Sequence, residues 1–160
     1  MTRKAKFIAV AFWVAVLFSA VAQVWAQDKW YPYPVEVWDP PFDMESPRKE
    51  ADYVPIEQAS KKWDIRVFFP HMKDVYWLAA NYGLASEAKR LGVRMTLEQA
   101  GGYDNLDVQI AQIRKCLASI PDGIILAAIS YAGMDSLIGE IRSKGIPVVD
   151  VINGVTSRDI

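Results

Sequence analysis

The chain has 160 residues, a formal net charge of −1, one histidine and one cysteine. A charge this close to zero, without a basic face interleaved with aromatic residues, argues against binding to nucleic acid. A lone cysteine excludes an intramolecular disulfide, and His71 and Cys116 are too far apart in sequence for metal-ligand spacing, so we expect no metal site.

The first 26 residues have the layout of a secretory signal peptide. Basic residues at positions 3, 4 and 6 precede an apolar stretch over residues 7–21, and small residues follow up to Ala26. We expect export and cleavage after Ala26, with the small residues at positions 20–22 as the alternative site. An uncleaved membrane anchor is the alternative, which the short apolar run and the polar residues directly after it disfavour.

Residues 27–62 are rich in proline and in aromatic residues. Prolines at this density prevent a continuous helix or a central strand. The segment nevertheless carries more large apolar groups than a disordered linker does. These groups are Trp30, Tyr31, Tyr33, Trp38, Phe42 and Tyr53. We interpret the segment as an extended arm whose aromatic residues pack on the domain surface; the alternative is an arm that docks a partner.

From residue 63 onward, short apolar strands alternate with amphipathic helices. The predicted strands are 65–69, 93–98, 124–128 and 148–152. The predicted helices begin at Asp74, at Asp104 or Asn105, and after Gly133, and two of them end at Gly92 and Gly145. Continuous apolar strands between such helices predict an α/β fold, with a parallel sheet covered by helices on both faces. The alternation stops after the fourth strand, so we expect an incomplete lobe.

Helical spacing predicts the buried face of each helix. The expected apolar stripes are Leu78, Leu84 or Ala85, Ala88 and Leu91 in the first helix; Leu106, Ile110, Ile113 and Leu117 in the second; and Leu137, Ile138 and Ile141 in the third. Cys116, within the second helix, is expected to be a small buried apolar side chain. Arg66 is unusual in a predicted central strand and indicates strain or an exposed edge.

Tyr76 and Trp77 are the strongest functional signal. They open the first helix, and ligands of open α/β sheets bind where strands end and helices begin. Aromatic faces there attract cationic nitrogen. The alternative is that the pair belongs to the core or to a lid. His71 follows the first strand and is either a hydrogen-bond donor to a ligand or, as we favour, a solvent-facing loop residue.

The chain shows no combination of nucleophile, base and orienting group. His71 is its one histidine, and none of its serines lies in a strained turn between a strand and a helix. The sequence therefore favours a binding protein over an enzyme.

Residues 63–155 resemble the N-terminal lobe of the type I periplasmic binding proteins, so we expect residues 63–160 to form this lobe. The segments that carry the resemblance are 73–78 (KDVYWL), 81–83 (NYG), 100–103 (AGGY), 109–113 (QIAQI) and 121–126 (PDGIIL). Within that family they are most similar to the TorT-like sensors of trimethylamine N-oxide. The resemblance implies a two-lobed receptor that closes on a small ligand, with the second lobe missing here.

The resemblance also implies residue roles. Tyr76 and Trp77 would contribute to an aromatic box around the methylated nitrogen. The oxide oxygen of such a ligand also needs hydrogen-bond donors, and the chemical candidates are Tyr103, Ser130 and Tyr131 or, alternatively, the backbone N–H groups at the helix start. His71, Asp74 and Asn153 are further candidates at strand ends. The implied partner is a membrane sensor histidine kinase, and no cofactor is implied.

A second hypothesis is the solute-binding subunit of an ABC importer for a sugar or a similar small solute. Sugars stack on aromatic rings, but their hydroxyl groups also need a ring of polar side chains. Candidates for that ring are few at the predicted strand ends: Asp74, Asp104 and Asn153. A third hypothesis is a non-functional remnant, because an incomplete lobe exposes apolar surface and a sheet edge.

Overall fold

The computed structural model describes residues 30–40, 43 and 45–160. The predicted leader 1–26, its cleavage at Ala26 and the arm residue Phe42 lie outside the described residues. The chain divides between Pro55 and Ile56 into two compact units, which we describe separately. Within the described part of the chain, no helix is long and apolar enough to cross a membrane.

The first unit contains an antiparallel hairpin. Its strands are β1 (Tyr33–Trp38) and β2 (Arg48–Tyr53), paired from Tyr33 opposite Tyr53 to Trp38 opposite Arg48. The sequence predicted extended chain here but not this pairing. Proline is compatible with the hairpin because both strands of a two-stranded sheet are edge strands. Trp30 stacks on Tyr53, with ring centroids 6.0 Å apart.

The second unit is a four-stranded parallel sheet with helices on both faces, as predicted. Its strands are β3 (Asp64–Phe69), β4 (Arg94–Gln99), β5 (Gly123–Leu126) and β6 (Val148–Asp150), in the spatial order β4-β3-β5-β6. Its helices are α1 (Val75–Leu91), α2 (Leu106–Leu117) and α3 (Asp135–Ser143).

Each face of the sheet has its own apolar core, because alternate residues of a strand point to opposite faces. On one face, Val67 and Phe69 of β3 pack with Trp77 of α1. On the other face, Phe68 of β3 packs with residues of α2 and α3. The predicted stripes of α2 and α3 are confirmed, and so is the burial of Cys116. Burial raises the pKa of the Cys116 thiol.

Two local predictions were wrong. At the start of α1, Trp77 faces the sheet and is 3% exposed, whereas the predicted Leu78 is 50% exposed. The rest of the predicted stripe is confirmed, because its residues are partly buried, namely Leu84, Ala88 and Leu91. Strand β6 ends two residues before the predicted Ile152, because Ile152 adopts a positive φ of 71°. A left-handed backbone conformation cannot continue a strand.

Arg66 is stabilised by Asp64 on the same face of β3. The guanidinium donates from Nε and Nη2 to the two carboxylate oxygens, each at 3.2 Å, and Arg94 of β4 donates to the same carboxylate at 2.9 Å. The exposed-edge interpretation of Arg66 was wrong, since β3 is paired on both sides. Burial acts to raise the pKa of Asp64, but Arg66 and Arg94 outweigh it and hold this pKa below 3.8.

We expect Asp64→Asn to lower the free energy of unfolding by about 2 kcal/mol at neutral pH, because it removes charge-assisted hydrogen bonds. Urea denaturation measures the loss. Folding lowers the pKa of Asp64, so its contribution is complete above the ordinary value of 3.8 and disappears as the pH falls through the folded-state pKa. The difference between wild type and variant should shrink accordingly.

The matched control is Glu36→Gln in the hairpin, which removes an exposed ion pair with Arg48. This change should alter the free energy of unfolding by no more than about 0.5 kcal/mol. Equal losses in the two variants would contradict a special role for Asp64.

Candidate ligand-binding site

The candidate site lies at the carboxyl ends of the parallel strands. Strand β3 connects to β4 through α1 on one face of the sheet, whereas α2 and α3 cover the other face. Neighbouring strands β3 and β5 therefore lead to helices on opposite faces, which opens a crevice between their ends. The loops after β3, β4, β5 and β6 carry the residues singled out from the sequence.

Asp74 fixes the start of α1. It has extended backbone angles, and its side-chain Oδ1 accepts a hydrogen bond from the N–H of Trp77 at 3.1 Å. The N–H groups of Val75 and Tyr76 have no acceptor within the helix because they belong to its first turn. The positive end of the helix dipole adds to these donors, so a ligand oxygen is favoured at this position.

The two aromatic residues of α1 have different environments. Trp77 is buried against Phe69, with ring centroids 4.8 Å apart. Tyr76 is 57% exposed, and its ring is nearly perpendicular to that of Trp77, with centroids 5.6 Å apart. Tyr76 is therefore accessible at the start of α1, and Trp77 contacts it from the core.

His71 lies between Trp77 of α1 and Tyr103 of the loop after β4. Its ring lies edge-on to Trp77 at 5.9 Å and to Tyr103 at 5.3 Å, and its side chain is 12% exposed. The expectation of a solvent-facing histidine was wrong, because these rings cover it. Its Nδ1 accepts the N–H of Lys73 at 3.2 Å, and its Nε2 lies 4.0 Å from a carboxylate oxygen of Asp74.

Tyr103 and Asn153 connect the loops after β4 and β6. The side-chain amide of Asn153 donates to the carbonyl of Ala128 at 2.8 Å and lies 3.4 Å from the Tyr103 hydroxyl. Because Ala128 follows β5, the side chain of Asn153 links the loops after β4, β5 and β6.

The turn that carries Asn153 follows the partly buried end of β6. Burial raises the pKa of Asp150, the last residue of that strand. Gly154 has a positive φ of 74°, and a side chain there would meet the Tyr131 ring at 3.5 Å. Glycine thus allows this turn to approach Tyr131 closely.

Ser130 and Tyr131 lie in the loop after β5. The Ser130 hydroxyl accepts the N–H of Gly133 at 3.0 Å, and the Tyr131 carbonyl accepts the N–H of Thr156 at 2.8 Å. The Tyr131 side chain is exposed. The loop is therefore anchored through its main chain, with the Tyr131 ring at the surface.

Sequence reasoning missed Gln109, which is fully buried in α2. Its Nε2 donates to the carbonyl of Ala127, and its Oε1 accepts the N–H of Ile129, both at 3.0 Å. The available signal was a polar residue at the third position after Leu106, on the face of α2 that also carries Ile113. A polar residue on a buried face needs partners for its amide group.

A separate apolar cavity of about 530 Å³ lies at the opposite end of the sheet. Its lining includes Trp63, Ile65, Leu91 and Val93, which are located where β3 and β4 begin and α1 ends. It has few polar groups to orient a polar ligand, so we place the candidate site at the strand ends instead. Within residues 30–40, 43 and 45–160, no three His, Cys, Asp or Glu side chains are grouped to hold a metal ion.

Residues 65–159 match the family model of the periplasmic binding protein domain. The periplasmic protein TorT of Escherichia coli K12 is 32% identical over 103 residues, which are 64% of this chain and 29% of TorT. The chain thus spans less than a third of the length of this curated relative.

Two solved structures are informative. An ABC transporter solute-binding protein from Bradyrhizobium sp. BTAi1, with bound Bis-Tris, is 51% identical with a TM-score of 0.82, and the match covers 84% of this chain and 40% of that one. A complex of the TorS sensor domain with TorT, in the absence of ligand, matches at 32% identity and a TM-score of 0.53, over 59% of this chain and 32% of that one.

We expect Asp74→Ala to lower the free energy of unfolding by about 1 kcal/mol, because the N–H of Trp77 loses its capping acceptor. Asp74→Ser should restore most of this loss, since serine also caps helices. Thermal denaturation of both variants measures the effect. Equal stability of Asp74→Ala and wild type would show that the cap contributes nothing to folding.

Proposed function

Because the chain belongs to the periplasmic binding protein family, we propose that it acts in the periplasm as a binding protein for trimethylamine N-oxide or a similar small methylated amine. The exposed ring of Tyr76 at the start of α1 carries the proposal. Trimethylamine N-oxide has a positively polarised nitrogen that suits an aromatic face, and the N–H groups at the helix start suit its oxygen.

The neighbouring residues support the same ligand. Tyr103 supplies a hydroxyl, and Tyr131, in the loop after β5, supplies a second exposed ring and hydroxyl. A small ligand of this kind needs few hydrogen bonds, whereas a sugar needs several. The polar candidates Asp74 and Asn153 already serve as a helix cap and as a clamp on the loop after β5.

We further propose that ligand binding is signalled to a membrane sensor histidine kinase. Similarity to TorT supports this role, because TorT forms a complex with the TorS sensor domain. In this proposal residues 63–160 form one lobe of a receptor. Ligand shifts the receptor toward a closed form for which it has the higher affinity, and the closed form biases the kinase.

The second candidate function is solute capture for an ABC importer. The Bradyrhizobium protein favours it, since that solute-binding protein has the higher identity to this chain. Bis-Tris, which that structure contains, is a tertiary amine with several hydroxyl groups. A tertiary amine is compatible with an aromatic site in either function. The two candidate functions therefore differ mainly in the protein partner, which is a sensor kinase in one and an importer in the other.

Calorimetric titration of the full-length protein should detect binding of trimethylamine N-oxide, with weaker or no binding of D-allose and D-arabinose. The physical reason is that the strand ends offer aromatic faces and few free polar side chains. Binding of Bis-Tris without trimethylamine N-oxide would favour a larger amine and the importer. Binding of the sugars alone would overturn the proposed ligand class.

We expect Tyr76→Ala to weaken trimethylamine N-oxide binding by about 0.5–2 kcal/mol, or roughly 2- to 30-fold in Kd, because one aromatic face is lost. Tyr76→Phe should bind nearly as well as wild type, since the ring remains. Tyr82→Ala is the matched control, because Tyr82 is 75% exposed farther along the same helix. If Tyr82→Ala weakened binding as much as Tyr76→Ala, Tyr76 would have no specific role.

A further inference from the structure

Helix α2 carries a row of polar side chains that bind main-chain carbonyls at strand ends. Asn105, Gln109 and Gln112 follow the i, i+4, i+7 spacing of one helix face. They donate to the carbonyls of Ala100, Ala127 and Gln99 at 2.8, 3.0 and 3.0 Å, respectively. Gln109 differs from the other two because it is fully buried and also accepts a hydrogen bond.

Gln109 matches the peptide groups that it faces. Its amide donates to the carbonyl of Ala127 and accepts the N–H of Ile129, so one side chain satisfies both groups just beyond β5. Two further groups of this segment are bound by other elements. The N–H of Ala127 donates to the carbonyl of Phe68 at 2.9 Å, and the carbonyl of Ala128 accepts the amide of Asn153.

We infer that Gln109 is a positioning residue for the ligand-binding site. It fixes the segment 127–129, which leads directly into Ser130 and Tyr131 and whose Ala128 carbonyl holds Asn153. Gln109 therefore acts on the site through these residues. The effect on ligand binding rests on the proposed function, whereas the effect on the main chain does not.

The chemistry of the side chain explains why an apolar residue cannot replace it. Leucine or methionine would fill the space but would leave the Ile129 N–H and the Ala127 carbonyl buried without partners. Glutamate has nearly the same shape, and its protonated form can donate and accept as glutamine does. Ionised glutamate cannot donate and places a negative charge beside the Ala127 carbonyl.

The test therefore uses Gln109→Glu in the full-length protein at about pH 6 and about pH 9, since burial can raise a carboxyl pKa to roughly 8–9. Two quantities are measured at each pH as ratios to wild type. The first is the amide-exchange protection of residues 129–131 without ligand, and the second is the Kd for trimethylamine N-oxide. Gln58→Glu adds the same charge at an exposed position and is the control.

At the lower pH, Gln109→Glu should match wild type in both quantities. At the higher pH, protection of residues 129–131 should fall about tenfold and the Kd should rise by a similar factor, while Gln58→Glu stays at the wild-type value. This pH-dependent rescue separates positioning from simple packing, which does not change with pH.

The inference would be overturned if the ratios of Gln109→Glu to wild type, in protection and in Kd, did not change with pH. Equal changes of these ratios in Gln58→Glu would also overturn it. If wild type failed to bind trimethylamine N-oxide, the proposed ligand would be wrong. The exchange measurement would then decide by itself whether Gln109 positions the segment.

Discussion

The candidate site depends on one topological constraint, the divergence of the crossovers that follow β3 and β5. Helix α1 covers one face of the sheet, and α2 and α3 cover the other, so none of these three helices fills the space above the neighbouring strand ends. Strand β3 makes this arrangement stable because it contributes to both cores. Val67 and Phe69 are buried beneath α1, and Phe68 is buried beneath α2 and α3.

The crevice is useful for binding because polar side chains hold the main chain around it. Gln109 and Asn153 bind successive peptide groups after β5, and Asp74 sets the start of α1. Such contacts immobilise loops before a ligand arrives. A site fixed in advance loses less conformational entropy on binding, which matters for a ligand that makes few contacts.

The strands and helices of the second unit could be predicted from the sequence because their signals are local: apolar runs, Asp74 as a cap and Gly92 as a stop. The orientation of Tyr76 and Trp77 could not, because adjacent helical residues point about a quarter-turn apart and packing against Phe69 selects which one is buried. The burial of His71 could not be predicted either, because the ring of Tyr103 that covers it belongs to a distant loop. The hairpin and the role of Gln109 also depend on contacts between distant segments.

A crystal structure of the full-length protein with trimethylamine N-oxide would test the central claim most directly. The account predicts that the ligand nitrogen lies within about 6 Å of the Tyr76 ring centroid, the range of cation–π contacts, with the oxide oxygen near the first N–H groups of α1. Electron density for the ligand in the apolar cavity beside Trp63, or a ligand at the strand ends without contact to Tyr76, would contradict it.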